Sequence, residues 1–315
     1  MGTPEFGAII LEGLIEKGFK PVLVISSPDK PVGRKQTITP PPTKISAQKH
    51  NIPVEQPKKI QDFRLKIENL KPDLIVVAAY NQIIPKEILD IPKYGCLNIH
   101  PSLLPKYRGP SPIQTAILNG DKKTGVTIIL MDEKVDRGPI LSQKTLVIGE
   151  KETSQTLLIK LADLGARLLM ETIPKWTKKM IKPLPQDESR ATYSRILHKN
   201  DGQINWKRTA ERLEREIRAY FLWPGCYTFW KKLGQPIKID ILKARILEST
   251  ETVSYPVGKT LVVPQNEIGV QCGVGLMGRT GNFLVIEKMK MEGKKEMSSE
   301  DFLRGYPDFI GVILS

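Results

Sequence analysis

The chain has 315 residues, enough for two domains, and its hydrophobic (40%) and charged (26%) fractions are typical of globular proteins and exclude a disordered or fibrous chain. No apolar run reaches membrane-spanning length, no signal-peptide pattern is present, and the three cysteines and three histidines lack disulfide or metal-ligand spacing, so we expect a cytoplasmic protein without a metal site. The formal net charge of +14 fits either solvated lysine-rich faces or a nucleic-acid surface, and the total alone leaves both open.

The first half of the chain alternates apolar β-runs with helical patterns. We predict helices at 43–50 and 62–69 and strands at 21–26, 72–79, 95–100 and 125–131. Continuous apolar strands that alternate with helices predict a Rossmann-like, doubly wound parallel sheet. A glycine-rich turn that opens a helix normally follows a first strand, yet here the turn at 1–7 begins the chain, so we expect that first strand to be missing.

A long, proline-punctuated loop at 27–42 follows the first of these strands and carries Lys30, Arg34 and Lys35. Loops of this length inside compact domains are usually functional or disordered. A basic loop at the carboxyl end of a strand suits a substrate that carries phosphate.

The strand at 95–100 ends in polar side chains, where open α/β sheets bind their ligands. Asn98 and His100 lie two residues apart, so strand periodicity directs both side chains to the same face. Asp136 follows the strand at 125–131, and we expect it at the same end of the sheet. The sequence therefore places an amide, an imidazole and a carboxylate together.

These three groups suit proton transfer at a carbonyl centre. A neutral imidazole accepts or relays a proton near neutral pH, an amide donates to a developing oxyanion, and a carboxylate fixes the imidazole tautomer. No serine or cysteine is placed as a nucleophile beside them, which favours direct transfer over a covalent intermediate. A histidine after a strand is more often structural, so the spacing by itself indicates a hypothesis only.

The second half of the chain changes from helical to β character. A long helix is predicted at 153–173 and a short one at 209–220, with a linker-like polar stretch between them. From 226 onward the β-runs are short and separated by turns, which predicts a small, OB-like β-barrel. We expect an N-terminal domain at 1–182, a linker at 183–202 and a C-terminal domain at 203–315.

Several motifs together resemble those of the 10-formyltetrahydrofolate-dependent formyltransferases. They are Asn98-Ile-His-Pro-Ser-Leu-Leu-Pro105, Tyr107-Arg-Gly109 and Asp136-x-Gly138. The start M-G-T-P-E-F, the string from Ser27 to Arg34, Trp223-Pro-Gly225 and the tail from Asp301 to Gly305 resemble the members of that family that act on methionyl-tRNA. The resemblance covers essentially the whole chain.

The resemblance implies a reaction and its catalytic residues. The α-amine of methionyl-initiator-tRNA would attack the formyl group of 10-formyltetrahydrofolate directly, through a tetrahedral intermediate. Asn98 and a protonated His100 would stabilise the oxyanion, and Asp136 would hold His100 and relay protons. The protein would then supply N-formylmethionyl-tRNA for translation initiation.

The resemblance also implies binding residues and domain roles. Tetrahydrofolate would bind the loop Ser102, Leu103, Leu104 and Pro105 and the backbone of the segment Tyr80, Asn81, Gln82, Ile83 and Ile84. The tRNA would contact Lys30, Arg34 and Lys35 in the N-terminal catalytic domain, as well as the basic C-terminal barrel. No metal is implied, and we expect a monomer.

Three alternatives stay open at this stage. A related enzyme would formylate another amine, such as a nucleotide sugar or glycinamide ribonucleotide, although the basic loop and the second domain argue against this. A hydrolase of 10-formyltetrahydrofolate would use water in place of the amine, and the trio does not exclude it. The third alternative is a noncatalytic RNA-binding protein with a degenerate site, and the intact trio and folate loop argue against it.

Overall fold

The computed structural model describes residues 1–33, 35–247, 255–273 and 283–315. These residues separate into two compact units. The first unit comprises Met1–Ile113, Lys122–Ile148 and Thr156–Arg195, and the second comprises Gln114–Asp121, Gly149–Gln155 and Ile196–Ser315.

The first unit is a mixed α/β structure, as the alternation of strands and helices predicted. Its helices and strands are α1 (Glu5–Glu16), β1 (Val24–Ile25), β2 (Lys30–Val32), β3 (Thr37–Thr39), α2 (Pro42–Lys49), β4 (Val54–Glu55), α3 (Arg64–Leu70), β5 (Ile75–Val77), α4 (Lys86–Leu89), β6 (Cys96–His100), β7 (Lys123–Leu130) and β8 (Ile140–Val147). Two further helices, α5 (Pro112–Leu118) and α6 (Ser154–Thr177), contain residues of both units. Helix α6 continues four residues beyond its predicted end at residue 173.

Apart from β2 and β3, which pair only with each other, the strands of the first unit form two groups on either side of the start of the chain. β1 pairs with β4 in parallel, and β5 to β8 are neighbours in chain order. The backbone of Met1 and Gly2 lies between these two groups, because the amide of Gly2 donates to Ile25 (3.0 Å) and the amide of Ala78 donates to Met1 (2.9 Å). Met1 and Gly2 therefore lie between β1 and β5, at the place in the sheet where we expected the first strand.

The direction of β7 differs from the prediction of a parallel sheet. β5 and β6 are parallel, but β7 is antiparallel to β6 and pairs His100 with Thr127. The seven residues of α5 span only about 10 Å, too little to form by themselves a full return crossover. The carboxyl end of β7 therefore lies beside the amino end of β6, opposite to the end that carries His100.

The predicted loop at 27–42 contains a hairpin. β2 and β3 pair antiparallel, with Lys30 opposite Thr39, and every residue of both strands is exposed. The exposed side chains of Lys30 and Lys35 are separate from the buried apolar core of the unit. That core includes the side chains of Ile25, Ile60, Val77, Ile88 and Cys96.

The second unit contains the predicted β-rich region. Its helices and strands are α7 (Ala210–Ala219), β9 (Cys226–Lys232), β10 (Gln235–Leu247), β11 (Thr260–Val263), β12 (Glu267–Gln271), β13 (Phe283–Met291), β14 (Met297–Ser298) and α8 (Ser299–Gly305). The strands form one six-stranded antiparallel sheet in the order β11-β12-β13-β10-β9, with β14 beside β13.

Local sequence explains the ends and the core of this unit. The hydroxyl of Thr209 accepts from the amide of Arg212 (3.2 Å) and caps the amino terminus of α7, as Ser298 caps α8. The buried ring of Trp230 packs edge-on against Phe309 with 5.2 Å between ring centroids.

In the part of the chain that the structure describes, no helix is both long and apolar enough to cross a membrane.

Candidate active site

Asn98 and His100 lie on β6 and face the same carboxylate. The amide nitrogen Nδ2 of Asn98 donates to Oδ1 of Asp136 at 3.3 Å. Nδ1 of His100 lies 3.5 Å from the same oxygen, and both side chains are nearly buried, with 6% of His100 and 11% of Asp136 exposed. The structure therefore brings together the amide, the imidazole and the carboxylate that the sequence analysis selected.

Asp136 reaches this position through a loop that turns back, and not through the direction of β7. The amide of Met131 donates to Cys96 (2.8 Å), and the amide of Leu130 donates to Pro139 (3.0 Å), so the loop 131–139 folds back along β6. Asp136 therefore lies at the expected end of the sheet, but the assumed route was wrong, because β6 and β7 are antiparallel. Asp136 itself adopts a left-handed backbone conformation with φ of +54°.

Two glycines permit this close packing of loops. A Cβ atom at Gly138 would lie 1.9 Å from the carbonyl oxygen of Leu130, so no side chain fits there. Gly109 has φ of +101°, and a Cβ atom on it would lie 2.9 Å from the carbonyl oxygen of Ser194. The glycines of the Tyr107-Arg-Gly109 and Asp136-x-Gly138 motifs therefore have a steric explanation.

The tautomer of His100 is set by a backbone carbonyl. Nε2 of His100 lies 3.0 Å from the carbonyl oxygen of Tyr107, and a carbonyl only accepts, so Nε2 carries a proton. The sequence analysis assigned this task to Asp136, which instead faces Nδ1. Tyr107 holds its carbonyl in place from a left-handed conformation with φ of +61°, unusual for a bulky residue.

The carboxylate of Asp136 is held from a second side as well. Its Oδ2 accepts from the backbone amide of Gly109 at 2.8 Å. One oxygen therefore faces Asn98 and His100, while the other is anchored to the loop that follows β6. This arrangement leaves the carboxylate little rotational freedom.

The candidate folate loop, 102–105, is fixed by hydrogen bonds to its own unit. The hydroxyl of Ser102 donates to Lys106 (2.5 Å), and the hydroxyl of Thr127 donates to the carbonyl of Ser102 (2.6 Å). The carbonyl of Leu104 accepts from Gln143 (3.0 Å), and the Leu104–Pro105 peptide is cis. Because the Ser102 hydroxyl is already bonded, this loop offers a ligand its backbone and the half-buried side chain of Leu103.

The second candidate folate segment, 80–84, uses several of its side chains for packing. Gln82 accepts from the amide of Ile60 (2.7 Å), Ile84 is buried, and burial raises the pKa of Tyr80 to about 12. Asn81 and Ile83 are exposed. The segment therefore offers a ligand its backbone and the side chains of Asn81 and Ile83.

Two of the three candidate tRNA residues of the hairpin are exposed. Lys30 lies on β2 and Lys35 in the turn before β3, and both are exposed. Arg34 lies outside the described residues, so its prediction rests on the sequence.

Comparisons with known proteins identify the family. The family model described as "Formyl transferase" matches residues 1–173, and "Formyl transferase, C-terminal domain" matches residues 196–307. The methionyl-tRNA formyltransferase of Bacillus cytotoxicus is 42% identical, with 100% of this chain and 97% of that protein covered. This chain belongs to the methionyl-tRNA formyltransferase family. The enzyme of the same name from Bacillus subtilis is 43% identical and is covered over 93% of its length.

Solved structures of other formyltransferases share the fold of this family member. A sugar 3N-formyltransferase crystallised in the presence of dTDP and 5-N-formyl-tetrahydrofolate superimposes with a TM-score of 0.61 at 20% identity, over 93% of this chain and 97% of that one. HypX from Aquifex aeolicus in complex with tetrahydrofolic acid gives a TM-score of 0.57 at 20% identity, over 83% of this chain and 43% of that one. At these identities the likeness concerns the fold.

The sequence analysis missed a polar network that surrounds this formyltransferase site. The side chain of Arg108 is 1% exposed and makes a bidentate ion pair with Glu188, at 3.0 and 2.8 Å. Hydrogen bonds from the guanidinium groups of Arg108 and Arg137 lower the pKa of Glu188 to about 2. Gln186 accepts from Arg108 at 2.8 Å and donates to the backbone of the Asp136 loop.

The sequence carried only a weak signal for this network. Gln186 and Glu188 lie in the polar stretch interpreted as a linker, where they have neither helical nor strand periodicity around them. The best available signal was Arg108 within the Tyr107-Arg-Gly109 motif, because an arginine next to apolar residues requires a carboxylate partner when it is buried.

Cys96 lies on β6, two residues from Asn98, but it is not available as a nucleophile. Burial raises the pKa of its thiol to about 12, and the thiol contacts the carbonyl of Leu89 at 3.8 Å. A protonated, buried thiol of this kind is consistent with direct transfer in this formyltransferase.

Proposed function

We propose that the protein transfers the formyl group of 10-formyltetrahydrofolate to the α-amine of methionyl-initiator-tRNA. The observation that carries the proposal is the convergence of Asn98 and His100 on one carboxylate oxygen of Asp136, at 3.3 and 3.5 Å. Relatives that are 42–43% identical over nearly their whole length bear the name of this activity.

Each member of the trio has a distinct task. The amide nitrogen of Asn98 has two N–H donors, of which one points to Asp136 and the other serves the formyl oxygen as negative charge develops there. His100 keeps a proton on Nε2 through Tyr107, and its Nδ1 accepts the proton that the attacking amine loses. Asp136 shares that proton across the contact with Nδ1, and the proton passes to N10 of tetrahydrofolate as the bond between N10 and the formyl carbon breaks.

10-Formyltetrahydrofolate supplies the formyl group, and residues 102–105 and 80–84 hold this donor. These residues offer neutral backbone donors and acceptors, half-buried Leu103 and exposed Ile83, a set that fits the polar edge and flat face of a pterin. The loop 102–105 is fastened by Thr127 and Gln143 and so keeps its shape before the ligand arrives.

The tRNA contacts Lys30, Arg34 and Lys35 and the C-terminal domain. In this proposal residues 1–182 form the catalytic domain, 183–202 the connecting segment and 203–315 the tRNA-binding domain. The exposed lysines of the hairpin neutralise phosphates without reading base sequence. The protein acts as a cytoplasmic monomer.

The decisive experiment supplies 10-formyltetrahydrofolate and methionyl-initiator-tRNA and measures formyl-methionyl product. We expect transfer by the wild type. His100→Ala should lower kcat by at least about 100-fold, since removing a positioned proton acceptor costs this much or more, while tRNA binding persists. Lys86→Ala, which breaks a surface ion pair with Asp90, is the control and should retain wild-type activity.

Two outcomes would contradict the proposal. Deformylation of the folate without formyl-methionyl product would favour a hydrolase, in which water replaces the amine. A His100→Ala variant with wild-type kcat would remove His100 from the chemistry, whatever the substrate.

A further inference from the structure

Two side chains of the segment 184–195 contact both loops of the active site. The first loop, 101–111, contains Tyr107 and Gly109, and the second, 131–139, contains Asp136. We propose that Gln186 and Glu188 are positioning residues: together they form a clamp that joins the two loops and holds the Asp136 carboxylate against His100. The effect on catalysis rests on the proposed function, whereas the effect on the geometry of His100 does not.

Gln186 bonds to both loops with the two ends of its amide. Its Nε2 donates to the carbonyls of Asp136 and Gly138, both at 2.8 Å, and so holds the backbone on either side of Arg137. Its Oε1 accepts from Nε and Nη2 of Arg108, at 3.1 and 2.8 Å. A single side chain therefore fixes the distance between the two loops.

Glu188 makes the same connection with charge. Its carboxylate binds the buried guanidinium of Arg108 in bidentate fashion. It also accepts, at 2.6 Å, from Arg137, which is the residue next to Asp136. The side chain of Arg108 is 1% exposed, and a buried cation without a partner is strongly unfavourable. The guanidinium of Arg108 therefore depends mainly on Glu188 and Gln186, since its other hydrogen bond, to the hydroxyl of Tyr193, is longer at 3.4 Å.

Arg108 connects the clamp to the trio through its two neighbours in sequence. The carbonyl of Tyr107 accepts from His100, and the amide of Gly109 donates to Asp136. The backbone of Arg108 also pairs with the segment, since its amide donates to Thr192 (2.9 Å) and its carbonyl accepts from Ser194 (2.7 Å). A displacement of Arg108 would move the partners of His100 and Asp136 together.

The backbone at both contact points requires such support. Tyr107 and Asp136 have φ of +61° and +54°, and non-glycine residues keep left-handed conformations only where their surroundings hold them. The side-chain amide of Gln186 donates hydrogen bonds to the carbonyls on either side of Arg137, and one of these carbonyls belongs to Asp136 itself.

The test uses two conservative variants and one control. Gln186→Glu keeps the size and the oxygen that faces Arg108 but loses the donor to Asp136 and Gly138. Glu188→Gln keeps the shape and loses the charge. The control is Glu171→Gln, because the side chains of Glu171 and Glu188 are equally exposed (55%) and both belong to ion pairs, that of Glu171 with Lys144. Thermal unfolding verifies that each variant is folded.

A spectroscopic measurement tests the geometry without any substrate. The chain has only three histidines, so ring ¹⁵N signals of the full-length protein are few, and His50 and His198 act as internal references. In the wild type and in Glu171→Gln we expect His100 to give the ring signals of a histidine that carries its proton on Nε2, because Nε2 donates to the carbonyl of Tyr107. In both clamp variants its signal should move towards that of a mixture of tautomers, while the reference signals stay constant.

Kinetics test the consequence for catalysis. Because a small misplacement of reacting groups strongly slows transfer, we expect kcat to fall about tenfold or more in both clamp variants, with KM for the formyl donor within about twofold. An unchanged His100 signal in a folded clamp variant would overturn the clamp itself. A shifted signal with wild-type kcat would overturn its role in positioning. Absence of formyl transfer by the wild type would concern the proposed function and leave the spectroscopic result standing.

Discussion

Asp136 illustrates how strongly a single side chain of this site depends on its backbone. Its carboxylate contacts Asn98, His100 and Gly109, yet it follows a strand that points away from them. The loop returns because a glycine two residues later lets the chain pass within contact of Leu130. The chemistry of Asp136 is thus available only where Gly138 permits the turn.

Gly138→Ala tests this dependence. A Cβ atom 1.9 Å from the Leu130 carbonyl must displace the backbone, so we expect a loss of about 1–3 kcal/mol in the free energy of unfolding and a large loss of formyl transfer. Urea unfolding and the transfer assay measure the two effects. Gly305→Ala, with no atom within 4 Å of the added carbon, should change neither. Wild-type behaviour of Gly138→Ala would mean that the loop does not need this close approach.

At the scale of elements, the segment 184–195 has little regular structure and contacts both active-site loops. It contains only a short 3-10 helix, Glu188–Arg190, and backbone pairings with Ile140, Arg108 and Pro105. The ion pair between Glu188 and Arg108 depends on pH. Hydrogen bonds from Arg108 and Arg137 lower the pKa of Glu188 from 4.5 to about 2.

The pH dependence follows from the sign of that shift. A carboxylate whose pKa is lower in the folded state stabilises the fold fully above about pH 4.5 and loses this contribution as the pH falls towards 2. The wild type should therefore be more stable than Glu188→Gln by a constant amount above pH 4.5, and the difference should shrink below it. Unfolding midpoints across this range measure the effect. A difference that grows on acidification would contradict the assigned ion pair.

At the scale of the whole molecule, the structure shows where some of the basic residues behind the formal net charge of +14 lie. The hairpin of β2 and β3 exposes Lys30 and Lys35, as a phosphate-binding element should. Binding to tRNA through such residues releases counterions, so its affinity falls steeply with salt.

Salt dependence of tRNA binding tests the hairpin. In a Lys30→Ala, Lys35→Ala double variant, the slope of log affinity against log salt should fall in magnitude by about 2, because each lost phosphate contact removes about one unit. Lys86→Ala with Lys144→Ala, which removes the same charge from two surface ion pairs, is the matched control and should leave the slope close to that of the wild type. Equal slopes in both double variants would remove the hairpin from the tRNA interface.

The sequence by itself determined the features that depend on local periodicity and on residue chemistry. Alternating apolar strands and helices predicted the α/β unit. The short β-runs after residue 226 predicted a small OB-like β-barrel, and the structure has a six-stranded antiparallel sheet there. The period of two along β6 directed Asn98 and His100 to one face, and the motifs around them pointed to the family.

Only the tertiary structure decided how distant segments meet. The direction of β7, the returning loop of Asp136, the Tyr107 carbonyl on His100 and the contacts of Gln186 and Glu188 all involve partners whose positions no local pattern fixes. Hydrogen bonds to backbone groups and ion pairs to a buried arginine require no periodic sequence, since they depend on where the chain folds back. A polar stretch with the composition of a linker therefore contacts both active-site loops of the first unit.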